Sequence, residues 1–116
     1  MDFLTRVEIL EKDDLQYEVV EVPEWGGKVR VVGISAKARD RWEVSIADQR
    51  EKGKPMDVRA SLVAKSCVDA DGKKVFTDAD VQKLGAKSAS AVERVFTVCM
   101  KLSGLATTDV EELEKN

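Results

Sequence analysis

LQYEVVEVPEWGGKVRVVGI, residues 15–34, is two β-branched runs hinged on one proline and two glycines. LQYEVVEV and KVRVVGI each alternate in the way that suits a strand with one buried face. PEWGG between them carries turn chemistry. A four-residue loop, Glu24 to Gly27, predicts a hairpin in which Val22 faces Val29, Val20 faces Val31, Val19 faces Val32 and Tyr17 faces Ile34. That register sets Glu21 against Arg30, an opposite-charge cross-strand pair. A loop of Gly26-Gly27 alone would set Pro23 against Arg30 and Glu21 against Val32. The first register is preferred because it pairs like with like.

On either side the period turns helical. Upstream, Thr5-Arg6-Val7-Glu8 is a capping box, and Leu4, Val7 and Leu10 share one side of a short helix ending near Asp13. Downstream, Ser35 caps a helix in which Ala38, Trp42 and Ile46 recur every fourth residue, the mark of a core face. Residues 48–56, DQREKGKPM, mix charge, Gly and Pro without an apolar period and are expected to form a flexible loop. Asp57 then caps a helix to about Cys67. Val75-Phe76 is read as extended, and Thr77 caps a two-turn helix stopping at Gly85. Ser88 opens a long amphipathic helix carrying Val92, Val95, Phe96, Cys99 and Leu102. Gly104 ends it, with Leu105 folding back in a Schellman cap. Thr108-Asp109-Val110-Glu111 is a second capping box, opening a last helix over about 108–115. The prediction is an α+β fold: an N-terminal β-hairpin packed on a mainly helical single domain, residues 1–116, with about six helices.

Composition narrows function. The chain has 116 residues, 43% of them apolar and 35% charged, enough for one soluble domain with a radius of gyration near ~13 Å. No apolar run approaches the ~20 residues a bilayer needs, and the acidic start MDFLTRVEILEKDD does not suit a signal peptide. There is no histidine. That removes the commonest general base and metal ligand, excludes Ser-His and Cys-His nucleophiles, and leaves two cysteines unable to close an ordinary zinc site. The expectation is no enzyme, no cofactor and no metal. Cys67 and Cys99, among apolar helical neighbours, read as small core residues in a reducing compartment. Net charge is −3 but uneven. Residues 1–24 hold eight acids against two bases, and residues 28–54 hold eight bases against four acids. Unlike patches of this kind suit head-to-tail self-association or mutual screening within one molecule; neither implies nucleic acid.

Two decoys need weighing. VDADGKKVFTDAD, residues 68–80, resembles a calcium loop. Counted from Asp69, however, lysines fill the fifth and sixth places where an oxygen ligand and a glycine belong, and Asp80 stands at the twelfth instead of glutamate. Asp-Gly is strong turn chemistry by itself, so a polar turn is expected. VQKLGAKSASAVERVF resembles a helix-turn-helix, yet its second helix offers no Asn, Gln or Arg cluster where base edges are read. Two helices packed by Leu84, Val92 and Phe96 is the expected arrangement.

Taken in order, VEVPEWGGKVRVVGI, LVAKSCVDADGKKVFTDADVQKLGAKSASAVERVF and LSGLATTDVEELEKN resemble the tail assembly chaperones of long-tailed bacteriophages and prophages. The resemblance runs from about residue 5 to the end, and it rests on the order and spacing of structural punctuation. It implies a non-enzymatic protein that binds and solubilises the tape measure protein while tail-tube subunits polymerise around it. It further implies action in the host cytoplasm and absence from the mature virion. In many such phages a ribosomal frameshift makes a longer product that brings in the tail tube protein, and this chain would correspond to the short form. The alternatives are a structural tail or connector component of the virion and a small helix-turn-helix DNA-binding regulator. Candidate partner-binding residues, chosen as spare apolar surface near the ends and the hairpin tip, are Phe3, Leu4, Trp25, Leu105, Val110 and Leu113. For Trp25 the rival reading is a ring folded back over the hairpin; for the C-terminal pair it is docking on the chain itself. Self-association into a homo-oligomer is also expected.

Overall fold

A computed structural model describes residues 2–115. Its six α-helices and one antiparallel sheet bear out the α+β expectation. Helix α1 (Arg6–Glu11) forms on its own box: the Thr5 hydroxyl accepts from the Glu8 N–H at 3.3 Å, and the Glu8 carboxylate accepts from the Thr5 N–H at 3.1 Å. It buries none of its residues.

Strands β1 (Tyr17–Val22) and β2 (Gly27–Val32) make the hairpin, but its register differs from the expected one. Val20 pairs with Val29, Val19 with Arg30, Glu21 with Lys28 and Val22 with Gly27. The turn explains the two-residue shift. Pro23 opens a 3-10 turn over Pro23–Trp25, and Gly26, at φ 72°, closes it, leaving Gly27 free to join the strand. A shift of two preserves each side chain's face, so Val20, Val22 and Val31 still point inward. Glu21 still meets a cation, now Lys28 in place of Arg30.

The sheet also has a third strand that the pattern did not show. β3 (Cys67–Val68) pairs with β2 through Arg30↔Val68 and Val31↔Cys67, giving the order β1-β2-β3. Two residues are too few for a visible period. Val68 is also bridged to Lys74, and the Val75 N–H donates to the Cys67 carbonyl at 3.1 Å, so the extended reading near Val75 comes from this small return.

Helix α2 (Ala36–Glu51) starts on the Ser35 cap, whose hydroxyl accepts from the Ala38 N–H at 3.1 Å. It runs four residues into the segment expected to be a loop. Asp48 and Lys52, 3.0 Å apart, support that extra turn, and the irregular stretch begins only after Glu51. Asp57 precedes α3 (Val58–Ser66) but does not cap it as expected: its backbone is left-handed at φ 46° and its side chain makes no cap bond. Thr77 opens this segment as expected, its N–H donating to the Asp80 carboxylate at 2.9 Å, but the expected two-turn helix is a 3-10 turn leading into the short α4 (Val81–Gly85). Ser88 caps α5 (Ala89–Ser103) through the Ala91 N–H. Gly104 is left-handed, and the Leu105 N–H reaches back to the Met100 carbonyl at 2.9 Å, the expected Schellman geometry. α6 (Thr107–Lys115) starts one residue earlier than read. Its opening bond is from the Ala106 N–H to the Asp109 carboxylate, so the Thr108 box does not form.

The core lies between the inner sheet face and the helices. α5 packs against β1 and β2 on one side and α3 on the other, while α2 packs against α3 and α6. Trp42, Ile46, Leu62, Val63 and Val95 are sealed, each contributing on the order of 2 kcal/mol of burial free energy. The Trp42 indole N–H donates to the Ser61 hydroxyl at 2.8 Å, which donates on to the Val58 carbonyl, so the buried ring leaves no polar atom stranded. α3, rather than a direct helix pair, joins α4 to α5; the expected two-helix packing through Leu84, Val92 and Phe96 is a three-helix arrangement. The radius of gyration is 15.4 Å, above the ~13 Å of a compact chain this long. Residues 2–14, with the unburied α1, account for the sense of that difference.

Candidate interaction surface

Apolar exposure is concentrated in one place. Phe3 (94% exposed), Leu4 (61%), Val7, Ile9, Leu10 and Leu15 lie along the N-terminal arm, and Tyr17 and Val19 continue onto the outer face of β1. Among the described residues, the exposed large hydrophobics away from this strip are Val44 and Val75, set apart in sequence. Eight such residues within seventeen are a local concentration of apolar exposure of the kind that marks a contact surface, whereas isolated exposed valines are ordinary. Arg30 flanks it, its guanidinium 4.1 Å above the Tyr17 ring while it donates to the Asp69 and Ala70 carbonyls.

The six residues picked from sequence scatter over three regions. Phe3 and Leu4 sit on the arm with their side chains in solvent. Trp25 is half-buried and packs on the core, beside the Glu24–Arg94 ion pair that ties the hairpin tip to α5. That pair holds the Glu24 carboxyl below its ordinary range. Leu105 and Val110 are buried, and Leu113 is half-buried against the same core, where its carbonyl accepts from Arg50. The exposure argument for Leu105 and Val110 therefore fails, because both are buried and α6 docks back on α2.

What the sequence reading missed is the remainder of the strip. Val7 and Leu10 sit on one side of a helix, which ordinarily signals burial, yet no element covers them. Tyr17 and Val19 alternate with buried Val20 and Val22, and both faces of β1 are apolar enough to hide which one is outside.

The 68–80 segment is a tight return. The Asp69 carboxylate accepts the Asp71 and Lys73 N–H groups at 2.9 and 3.0 Å, and Gly72 takes φ 81°. Asp80 serves the Thr77 N–H instead. Asp69 and Asp80 are thus engaged with backbone, and among the described residues no group of three His, Cys, Asp or Glu side chains could hold a metal ion. Cys67 and Cys99 are buried free thiols; burial pushes Cys67 up to about 12 and Cys99 up to about 11, which leaves both as neutral, unreactive thiols at neutral pH. No helix among the described residues is long and apolar enough to cross a membrane.

A family model described as phage tail assembly chaperone matches residues 6–116, from α1 to the end of α6. The chain belongs to that family. It is a family of chaperones of tail assembly, not of enzymes. The solved structure of the bacteriophage HK97 tail assembly chaperone shares the fold, with a TM-score of 0.62, 21% identity, and coverage of 83% of this chain and 88% of that one. No curated protein matches the chain.

Proposed function

We propose that this tail assembly chaperone binds the tape measure protein, a long helical client, and keeps it soluble until tail-tube subunits enclose it. The observation that carries this reading is the N-terminal strip from Phe3 to Val19. An unassembled helical client exposes long apolar stripes, and covering them calls for many weak apolar contacts rather than one deep pocket. A short, preformed helix with unburied Val7, Ile9 and Leu10 is suited to lie along such a stripe. The working site is then Phe3 and Leu4 from the first reading, extended by Val7, Ile9, Leu10 and Tyr17. Trp25 and Leu113 contribute through their exposed edges, while Leu105 and Val110 support α6 from within. In this scheme the chaperone acts in the host cytoplasm as a homo-oligomer and leaves before the virion matures. A longer frameshifted product with the same domain would bring in the tail tube protein.

The deciding experiment is co-expression with the tape measure protein, followed by fractionation and copurification. The client is expected in the soluble fraction, bound to this chain. Equal client solubility with and without the chaperone would refute the reading, and detection of the chain in purified virions would favour a structural tail component.

A further inference from the structure

β1 is an edge strand with an open side. The Gly33 N–H donates to the Gln16 carbonyl at 2.9 Å, and the register runs unbroken from there. In an antiparallel ladder, alternate residues bond to the neighbour, so Glu18, Val20 and Val22 face β2 with their amides. Tyr17, Val19 and Glu21 turn their N–H and C=O groups the other way. Among the described residues nothing pairs with them. Natural edges are usually blunted by lysine, proline, a bulge or a covering element. YEVVEV has neither lysine nor proline. Of its two glutamates, Glu18 lies 2.7 Å from Lys101 and Glu21 stands opposite Lys28 in the register. Val19 is 56% exposed in the middle of the edge.

We infer that the open edge of β1 pairs antiparallel with β1 of a second copy about a two-fold axis through Val19, joining two three-stranded sheets into one. A second copy is the fitting occupant because the strand is self-complementary in a register that opposes neither proline nor like charges. With Val19 opposite Val19 of the other copy, Tyr17 falls opposite Glu21, and all three outward residues bond in pairs, giving roughly six N–H···O bonds. On the inner face Glu18 falls opposite Val20. No two glutamates meet. Moving the register by two toward the turn brings in Pro23, which has no N–H to give, and moving it the other way sets Glu18 directly against Glu18 of the other copy. The pairing places the outer faces of both sheets on one side, so Val19 and Tyr17 from each copy form a shared apolar stripe. The pairing uses the backbone edge of β1 and does not rest on the proposed client contact.

The register is tested by single cysteines under mild oxidation, read on non-reducing gels. Val19→Cys is expected to cross-link to its counterpart, since directly opposed bonded residues sit with Cα atoms ~5.5 Å apart, inside the disulfide range. Tyr17→Cys alone is expected not to, its counterpart being ~13 Å or more along the strand. The combined Tyr17→Cys, Glu21→Cys chain should cross-link again. In parallel, Val19→Lys sets two ammonium groups against each other across the axis. Sedimentation equilibrium should show dimerisation weakened at least about tenfold, with far-UV circular dichroism unchanged because that side chain is outside the monomer's core. Val19→Thr should dimerise as the natural chain does, which separates the charge effect from misfolding. Equal cross-linking of the Val19 and Tyr17 variants, no cross-linking of Val19→Cys, or undiminished association of Val19→Lys would each overturn the proposal. Client solubilisation is scored separately, so loss of pairing with retained client binding counts against neither reading.

Discussion

Replacing Val7 and Leu10 together with glutamine separates the two roles an apolar helix face can have. α1 buries none of its residues, and Leu10 is 66% and Val7 54% exposed. Within the chain, therefore, little burial is lost. Glutamine is also a good helix former, and the Thr5–Glu8 box is untouched, so α1 itself should persist. The expected change in folding stability is within about 0.5 kcal/mol, a melting shift of only a few degrees. Client binding should behave quite differently. Full burial of a valine or leucine is worth about 1.5–3 kcal/mol, and somewhat over half of that remains available for a partner on each residue. Together they come to about 2.5 kcal/mol, or roughly fiftyfold or more in Kd. The assay is titration of a soluble tape measure segment into natural and doubly substituted chaperone, with thermal melts of both. A melting drop typical of a core truncation would mean that α1 docks on the chain's own body. An unchanged Kd would mean that the arm is not the contact.

Further consequences follow from the core. Gly33→Ala would drive a methyl group into the Leu102 carbonyl where β2 meets the end of α5, a junction already fixed by the Ile34 N–H donating to the Ser103 hydroxyl at 3.0 Å. Overpacking against backbone is expected to cost about 1–3 kcal/mol in chemical denaturation, and a neutral result would show that the two elements separate freely. Trp25→Ala should lower the melting temperature, because the ring is packed on the core; an unchanged melt would return Trp25 to the free surface. The buried thiols set a pH dependence. Both folded values, about 12 and about 11, lie above the ordinary 9.0, so the neutral thiols' contribution is complete below pH 9 and is lost as pH rises through the folded values. Urea unfolding of the natural chain between pH 8 and 11 should weaken more steeply than that of a Cys67→Ala, Cys99→Ala chain. Parallel slopes would contradict this.

Much of the architecture was readable because it is written in local chemistry. Ser35, Ser88 and Gly104 act on neighbours within a few residues, and each did what its sequence context implied. Trp42 and Ile46 declared the buried side of α2 through a period of four. Failures came where the deciding partner is distant. β3 is two residues long and exists because β2 is there to pair with it, and the Asp69–Lys74 return exists to position it. The hairpin register was misjudged because side-chain matching was weighed over the turn, although Pro23 and Gly26 fix the loop before any pair forms. The contact surface was the least legible part. An amphipathic pattern reports that a face wants cover without saying who supplies it: α6 covers itself through Val110, while α1, with an equally apolar side, is left open.

That contrast bears on how a chaperone of this size can work. The body has closed its own apolar faces, α6 included, and so has little to offer a client without unfolding. The arm has the opposite character. A six-residue helix is far below the ~12–15 residues at which an isolated helix becomes even marginal, so the Thr5–Glu8 box matters more here than a cap does on a packed helix. By holding the first turn, it reduces the ordering entropy that a client contact must overcome. One such arm still binds weakly, because three or four partly exposed side chains yield only a few kcal/mol before association entropy is subtracted. Were two arms carried on the sheet proposed above, that balance would change. Once the first engages a long apolar stripe, the second meets it at an effective concentration that short tethers raise to the millimolar range, with no new kind of contact required. On the proposed reading, the affinity so gained would disappear as polymerising subunits displaced one arm after another. A chaperone that must hold a client and then surrender it is better served by several weak arms than by one tight groove.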